Sequence, residues 1–270
     1  MLKLFKPLLI LALLTFGSMV QAQTTLRLAT TTSTYNSGLL DYLLPVYEAA
    51  SGVQVQVISV GTGAALRLGQ DGDVDLVMTH APEAEAAFVE AGHGVLPRAL
   101  MYNDFVLVGP ASDPASLKTA GDVDSAFKQI VQQGSIFVSR GDESGTHMKE
   151  LELWEQAGQS LPFDGYRSVG QGMGRVLSLA DEMEGYTLTD RGTWLAMKSR
   201  LDSVLVFEGD EQLFNPYQVI LVNPDRHAHV AYDQAKAFAD WLVSPEGQEL
   251  IDSFQVEGEQ LFFASAENES

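Results

Sequence analysis

Apolar positions along the chain switch repeatedly between two periods. Leu26–Ala29 alternates as a short strand. Leu39, Leu40, Leu43, Leu44 and Tyr47 then fall on one face of a helix that opens at Thr30-Thr31-Thr32-Ser33. Val53–Val60 predicts a second strand, stopped by Gly61-Thr62-Gly63, with a helix following through Ala64–Leu68. Asp75–Met78 and Pro82–Ala91 repeat the strand-then-helix step. This alternation predicts an α/β fold whose mostly parallel sheet is covered by helices on both faces.

Two later segments share one plan. Tyr102–Pro110 and Phe214–Pro224 each begin with an aromatic residue and Asn, run through aliphatic residues and end at proline. Each alone reads as a buried strand ending in a turn. As a pair flanking a renewed αβ pattern, they predict two crossings between lobes, with 23–105 plus 220–270 in lobe 1 and 106–219 in lobe 2. Ala231–Phe254 reads as an amphipathic helix pair, broken near Ser244-Pro245 and packed on the first lobe, and Ser265–Ser270 as a frayed tail.

The first residues do not fit this pattern. Lys3 and Lys6 precede an apolar run, Leu8–Phe16, and small residues lead up to Ala22. That order predicts a secretory signal peptide over 1–22. The run is short of the roughly 20 residues that span a bilayer. A free protein in a Gram-negative periplasm is the expectation. The chain contains no cysteine, so disulfides, thiolate metal sites, a cysteine nucleophile and a lipid-modified cysteine are excluded. Its 36 acidic and 16 basic residues, a net charge of −20, argue against nucleic acid or anionic membranes as partners. A buried small anion remains compatible with that charge, because charges beyond a Debye length of about 8 Å are largely screened.

Three strand-to-helix turns share a chemical character: Thr30-Thr31-Thr32-Ser33, Gly61-Thr62-Gly63 and Ser139–His147. First-turn backbone N–H groups lack internal partners and attract anions. Ser and Thr at such places add O–H donors, although they are also ordinary helix caps. Arg140 supplies a fork of charge-assisted donors, unless Asp142 or Glu143 occupies it in a surface ion pair. In open α/β folds, ligands bind in the crevice at the carboxyl ends of the strands.

Thr30–Ser33, Val60–Leu66, Gly72–Pro82, Met101–Val106 and Ser139–His147 follow one another in order, joined by Gln171–Gly174 and Tyr186–Thr193. This succession resembles the periplasmic tungstate-binding proteins of tungstate ABC importers, from Leu26 to Phe254. The resemblance implies an α/β, two-lobed periplasmic binding protein, a clamshell with a two-crossing hinge and the ligand between its lobes. It implies tungstate or molybdate as ligand, no cofactor, and a membrane permease as partner of a soluble monomer. By position, Thr32, Ser33, Thr62, Arg140, Ser144, Gly145 and Thr146 would surround the oxyanion.

The related phosphate-binding proteins share a similar layout, but place an acidic residue where His80 stands here. Phosphate keeps a proton near neutral pH and needs an acceptor, whereas tungstate, molybdate and sulfate want donors alone. A neutral histidine can donate one N–H, so His80 is a candidate ligand contact that argues against phosphate. The alternative is a histidine capping a strand end away from the ligand. Tyr186, Thr187, Thr189 and Arg191 form a further polar turn, readable as the far rim of the cleft or as a strand-end turn. Gly170-x-Gly172-x-Gly174 predicts a tight turn before a helix from Arg175.

Enzyme readings find little support. There is no Gly-x-Ser-x-Gly elbow, His-Glu-x-x-His pair or Walker loop. His227-Ala228-His229 lacks a third ligand at helical spacing and predicts a surface turn. Asp71–Asp75 starts like a calcium loop, but Leu76 occupies the position that requires glycine. The alternatives are a phosphate- or sulfate-binding importer protein, a secreted phosphate or sulfate ester hydrolase, and a sensor subunit.

Overall fold

The computed structural model describes residues 25–142 and 144–266; the expected signal segment, Glu143 and the end of the tail lie outside them. The strands of three residues or more are β1 (Thr25–Thr31), β2 (Gln54–Val60), β3 (Leu76–Thr79), β4 (Gly94–Gly109), β5 (Phe137–Ser139), β6 (Tyr166–Ser168), β7 (Thr187–Asp190), β8 (Val204–Phe207) and β9 (Phe214–Val222). The helices are α1 (Thr32–Asn36), α2 (Leu39–Ser51), α3 (Thr62–Asp71), α4 (Pro82–Glu90), α5 (Val123–Gln132), α6 (Gly145–Gln156), α7 (Met173–Glu182), α8 (Arg191–Met197), α9 (Tyr232–Leu242) and α10 (Pro245–Ser253).

The first sheet runs in the order β4-β9-β3-β1-β2, and Phe263–Ala264 adds a short antiparallel strand on the outer side of β4. Leu26 and Leu28 of β1 face a core built with Leu40 and Leu43 of α2, Phe238 of α9 and Ile251 of α10. Ala29, Val77 and Ile220 face the opposite way, onto Ala65 and Leu66 of α3 and Phe88 of α4. The alternation seen in the sequence thus covers this sheet on both faces. It is less parallel than expected. β1 runs parallel to β2 and β3, but β9 pairs antiparallel with both β3 and β4.

The reason lies in β4, a strand of 16 residues. Its first part, to Asp104, pairs with β9; from Phe105 onward it pairs with β7 and then β8. The segment Tyr102–Pro110 is therefore the second half of a longer strand. A second core gathers there, around Leu107, Phe127 of α5, Phe137 of β5, Trp154 of α6, Tyr186 and Val206. β5 pairs parallel with β6, and Phe137 bridges to Tyr186.

The helix expected from Thr30 onward is two helices. Gly38, at φ +83, takes the left-handed conformation that favours glycine and ends α1. Ser37 Oγ then accepts from Leu39 N at 3.2 Å, starting α2 in a new direction. The C-terminal pair appears as expected, with Ser244 Oγ capping α10 through Gly247 N and Pro245 in its first turn.

Candidate oxyanion site

In the parallel register, Thr31 lies opposite Val60 and Thr30 opposite Met78. The carboxyl ends of β1, β2 and β3 therefore stand side by side, and the turns leading into α1, α3 and α4 share one edge. Thr31 is buried and spends its side chain on the fold. Its Oγ1 accepts from Thr34 N at 3.3 Å and lies 2.6 Å from Thr34 Oγ1. Thr32 and Ser33 are left exposed on the same turn. Gly61 begins α3 with no side-chain cap. The first-turn amides of Thr62 and Gly63 have no intrahelical acceptor, and Thr62 is half-buried.

His80 follows β3 on this edge. Its Nε2 lies 3.4 Å from Ser33 Oγ, and its Nδ1 lies 3.2 Å from Asn215 Oδ1. Its ring packs on Tyr217, with centroids 4.6 Å apart. Burial holds the imidazole below the usual histidine value, against the opposing pull of Asn215 and of the Asp190 carboxylate. Glu85 of α4 braces the turn, accepting from Thr79 Oγ1 at 2.7 Å and from Ala81 N at 2.9 Å. Burial pushes Glu85 upward despite those two bonds.

The other group of candidates follows β5. Gly141 has φ +62, and a Cβ there would meet Ser168 Oγ at 2.1 Å, so only glycine fits this close approach. Asp142 accepts from Arg140 Nε at 2.8 Å and from Ser144 N at 3.1 Å. Burial raises the Asp142 carboxyl, but the Ser144 bonds and Arg140 outweigh it and hold it below its usual value. Ser144 Oγ caps α6 through His147 N. Gly145 is exposed at the helix start, and Thr146 is buried. Beneath the turn, Glu150 accepts from Tyr166 OH at 2.8 Å and is pushed upward by burial.

A profile of the PBP superfamily domain matches residues 20–246. A tungstate-binding protein TupA of Peptoclostridium acidaminophilum is 48% identical over 250 residues, spanning 91% of this chain and 87% of that protein. The solved structure of a tungstate-binding protein TupA from Desulfovibrio alaskensis superposes with a TM-score of 0.86 at 44% identity, covering 90% of this chain and all 100% of that one. The chain belongs to the tungstate-binding protein family. A further member, solved as the tungstate ABC transporter from Geobacter sulfurreducens, is 48% identical with a TM-score of 0.72, over 85% of this chain and 98% of that one. The periplasmic-binding-protein fold expected from the sequence is the fold of this family.

Within that family fold, Thr32, Ser33, Thr62 and His80 stand together on the edge of the first sheet, while Arg140, Ser144, Gly145 and Thr146 stand together after β5. Ser144 and Thr31 serve as caps, as the alternative reading of hydroxyl-rich turns allowed. The polar turn at Tyr186–Arg191 is structural. Tyr186, Thr187 and Thr189 are buried, and Arg191 donates through Nε and Nη2 to the two Asp104 oxygens at 2.6 Å each. His227 and His229 place Nε2 2.9 Å from the Gln70 and Gly72 carbonyl oxygens, at the end of α3. No group of three or more His, Cys, Asp or Glu among the described residues could hold a metal. The helix expected from Arg175 begins at Met173, capped by Gly172 in extended conformation.

Sequence reasoning missed four residues around His80: Asn103, Asp190, Asn215 and Tyr217. Asn215 Nδ2 donates to Asn103 Oδ1 at 2.8 Å. Both asparagines stand in the aromatic-Asn start that Tyr102–Pro110 and Phe214–Pro224 share, a signal that points to topology before it points to a site.

Proposed function

We propose that this chain captures tungstate, with molybdate as the nearest substitute, and delivers it to the permease of an ABC importer from the periplasm. It acts by binding and catalyses no reaction. The observation that carries the reading is the shared edge of β1, β2 and β3, which presents Thr32, Ser33 and the α3 amides together. The Arg140–Thr146 turn supplies the other jaw. Lobe 1 is 23–105 plus 220–270 and lobe 2 is 106–219, and the anion is held between them by donors from both.

Hydroxyls and helix-start amides are donors, and a bare dianion wants donors. Charge-assisted hydrogen bonds contribute about 1.5–3 kcal/mol each, so several together give tight binding after the costs of association. The carboxylates about His80 are engaged within the fold, Glu85 with Thr79 Oγ1 and Ala81 N and Asp190 with Thr193 N and Oγ1, which favours a ligand that needs donors over a phosphate that needs an acceptor for its proton. None of the helices among the described residues is long and apolar enough to cross a membrane, which suits a protein that meets its permease from outside the bilayer.

Titration calorimetry of ligand-free mature protein with tungstate, molybdate, sulfate and phosphate tests the proposal. Tight one-to-one tungstate binding, with phosphate weak or absent, is expected. Phosphate binding tighter than tungstate, or no binding by any of the four, overturns it.

A further inference from the structure

Side chains from both crossing strands converge beneath the first-sheet edge of the site. Asn103 lies on β4 and Asn215 on β9, opposite each other in the ladder. Asn215 Nδ2 donates to Asn103 Oδ1 at 2.8 Å, which leaves its Oδ1 turned to His80 Nδ1 at 3.2 Å. An amide oxygen only accepts, so Nδ1 must carry the proton. In the neutral ring Nε2 is then a bare acceptor, and what faces it is Ser33 Oγ at 3.4 Å. Ser33 has one proton to give. Its Oγ lies 3.1 Å from Thr31 Oγ1, where either hydroxyl can donate, and 3.4 Å from the ring, so a neutral His80 is an acceptor that competes with an anion for that proton. With Nε2 also protonated, the ring donates to Ser33 Oγ and the hydroxyl proton is free to turn to the ligand.

We propose that Asn103 and Asn215 are positioning residues of the oxyanion site, and that His80 takes up one proton from solvent when the dianion binds, so that Ser33 becomes a donor. This rests on the oxyanion-binding reading above. No bond other than the imidazole N–H forms.

The surroundings of His80 favour such a coupling. From β9, Asn215 and the Tyr217 ring pack against it. From α1 comes Ser33. From α4 comes Glu85, which bonds the residues on either side of it. From the start of α8 comes the Asp190 carboxylate, whose charge favours the imidazolium. Burial works the other way and keeps the ring neutral in the free protein near pH 7. A bound dianion adds negative charge and tips this balance. The sign follows: His80 is raised by the ligand, so affinity is greatest at low pH and declines once pH exceeds the free-protein value.

The test is tungstate titration of the mature protein from about pH 6.5 to 8.5, in buffers of different ionisation heat, with 15N spectra of the imidazole nitrogens. The expected result is a neutral Nδ1–H tautomer, uptake of up to one proton on binding, and affinity that falls with rising pH by at most about tenfold per unit. His80→Gln should bind more weakly at pH 6.5, with no uptake and a flat pH profile. Asn215→Asp should hold the imidazolium before ligand arrives and so reduce the uptake, which keeps the test open if His80→Gln does not fold. Undiminished uptake in His80→Gln, no uptake in the wild type, or an Nε2–H tautomer overturns the proposal. A wild type that binds no tungstate at any pH overturns the oxyanion reading itself.

Discussion

Two arginines, each paired with an aspartate, behave in opposite ways. Arg191 is buried and forks onto Asp104 with two bonds of 2.6 Å, and its Nη2 also reaches Glu208 at 2.5 Å. Burial would lower its guanidinium, but Asp104 and Glu208 outweigh that and raise it. The pair joins residues 87 apart in sequence, fastening α8 to the crossing strand β4. Arg140 meets Asp142, two residues away, through Nε alone among its described contacts, and their side chains keep 23% and 24% of their exposure. The comparison teaches that an arginine in a polar turn declares its role by what it spans. A long-range buried fork holds the fold, while a local, partly exposed pair ties together only its own turn.

The largest expected effect is on the buried fork. Arg191→Leu leaves Asp104 buried without its partner and should lower unfolding free energy by about 3–5 kcal/mol in denaturant titration. A loss below about 1 kcal/mol would mean the fork contributes no more than a surface pair. Next comes Arg140→Gln, which should weaken tungstate binding by about 1.5–3 kcal/mol while the melting temperature stays put. Unchanged affinity by calorimetry would erase the contrast between the two arginines. The smallest effect belongs to Asp142→Asn, which keeps an acceptor for Ser144 N but removes a negative charge. It should tighten tungstate binding slightly at low ionic strength, and the gain should fade as salt rises. A weakened affinity would instead make Asp142 the group that aims Arg140 at the anion.

The elements that the sequence made legible are those with strong period and clear punctuation. β1 to β3, α3 and the Ser244-Pro245 break belong to this class, because each apolar face meets its own neighbour. What escaped depended on pairing at a distance. Nothing local reveals that β4 runs for 16 residues through two ladders. Nor does it reveal that β9 enters antiparallel between β3 and β4. The site divides in the same way. Hydroxyl-rich turns advertise themselves, so Thr30–Ser33 and Gly61–Gly63 stand out as candidates, while the choice of Thr32, Ser33 and Thr62 within them comes from the family resemblance. The surroundings of His80 could not, since Asp190 and Asn215 reach it, and Asn103 reaches Asn215, from strands and turns far along the chain. Arg191 and Arg140 looked alike for the same reason, since the partner that separates them, Asp104, is remote in sequence.

The place of β9 also orders the making of the molecule. β1, β2 and β3 are complete once residue 79 has been synthesised, but the strand that covers the free edge of β3 ends only at Val222. Until then Leu76–Thr79, wholly buried in the finished protein, forms an open edge ready to pair with another chain. The entire second core can assemble in the meantime, because Phe127, Phe137, Trp154 and Val206 all precede Phe214. The early half of the chain is thus the last to close, and its incomplete sheet is the point at which newly made chains are most exposed to aggregation.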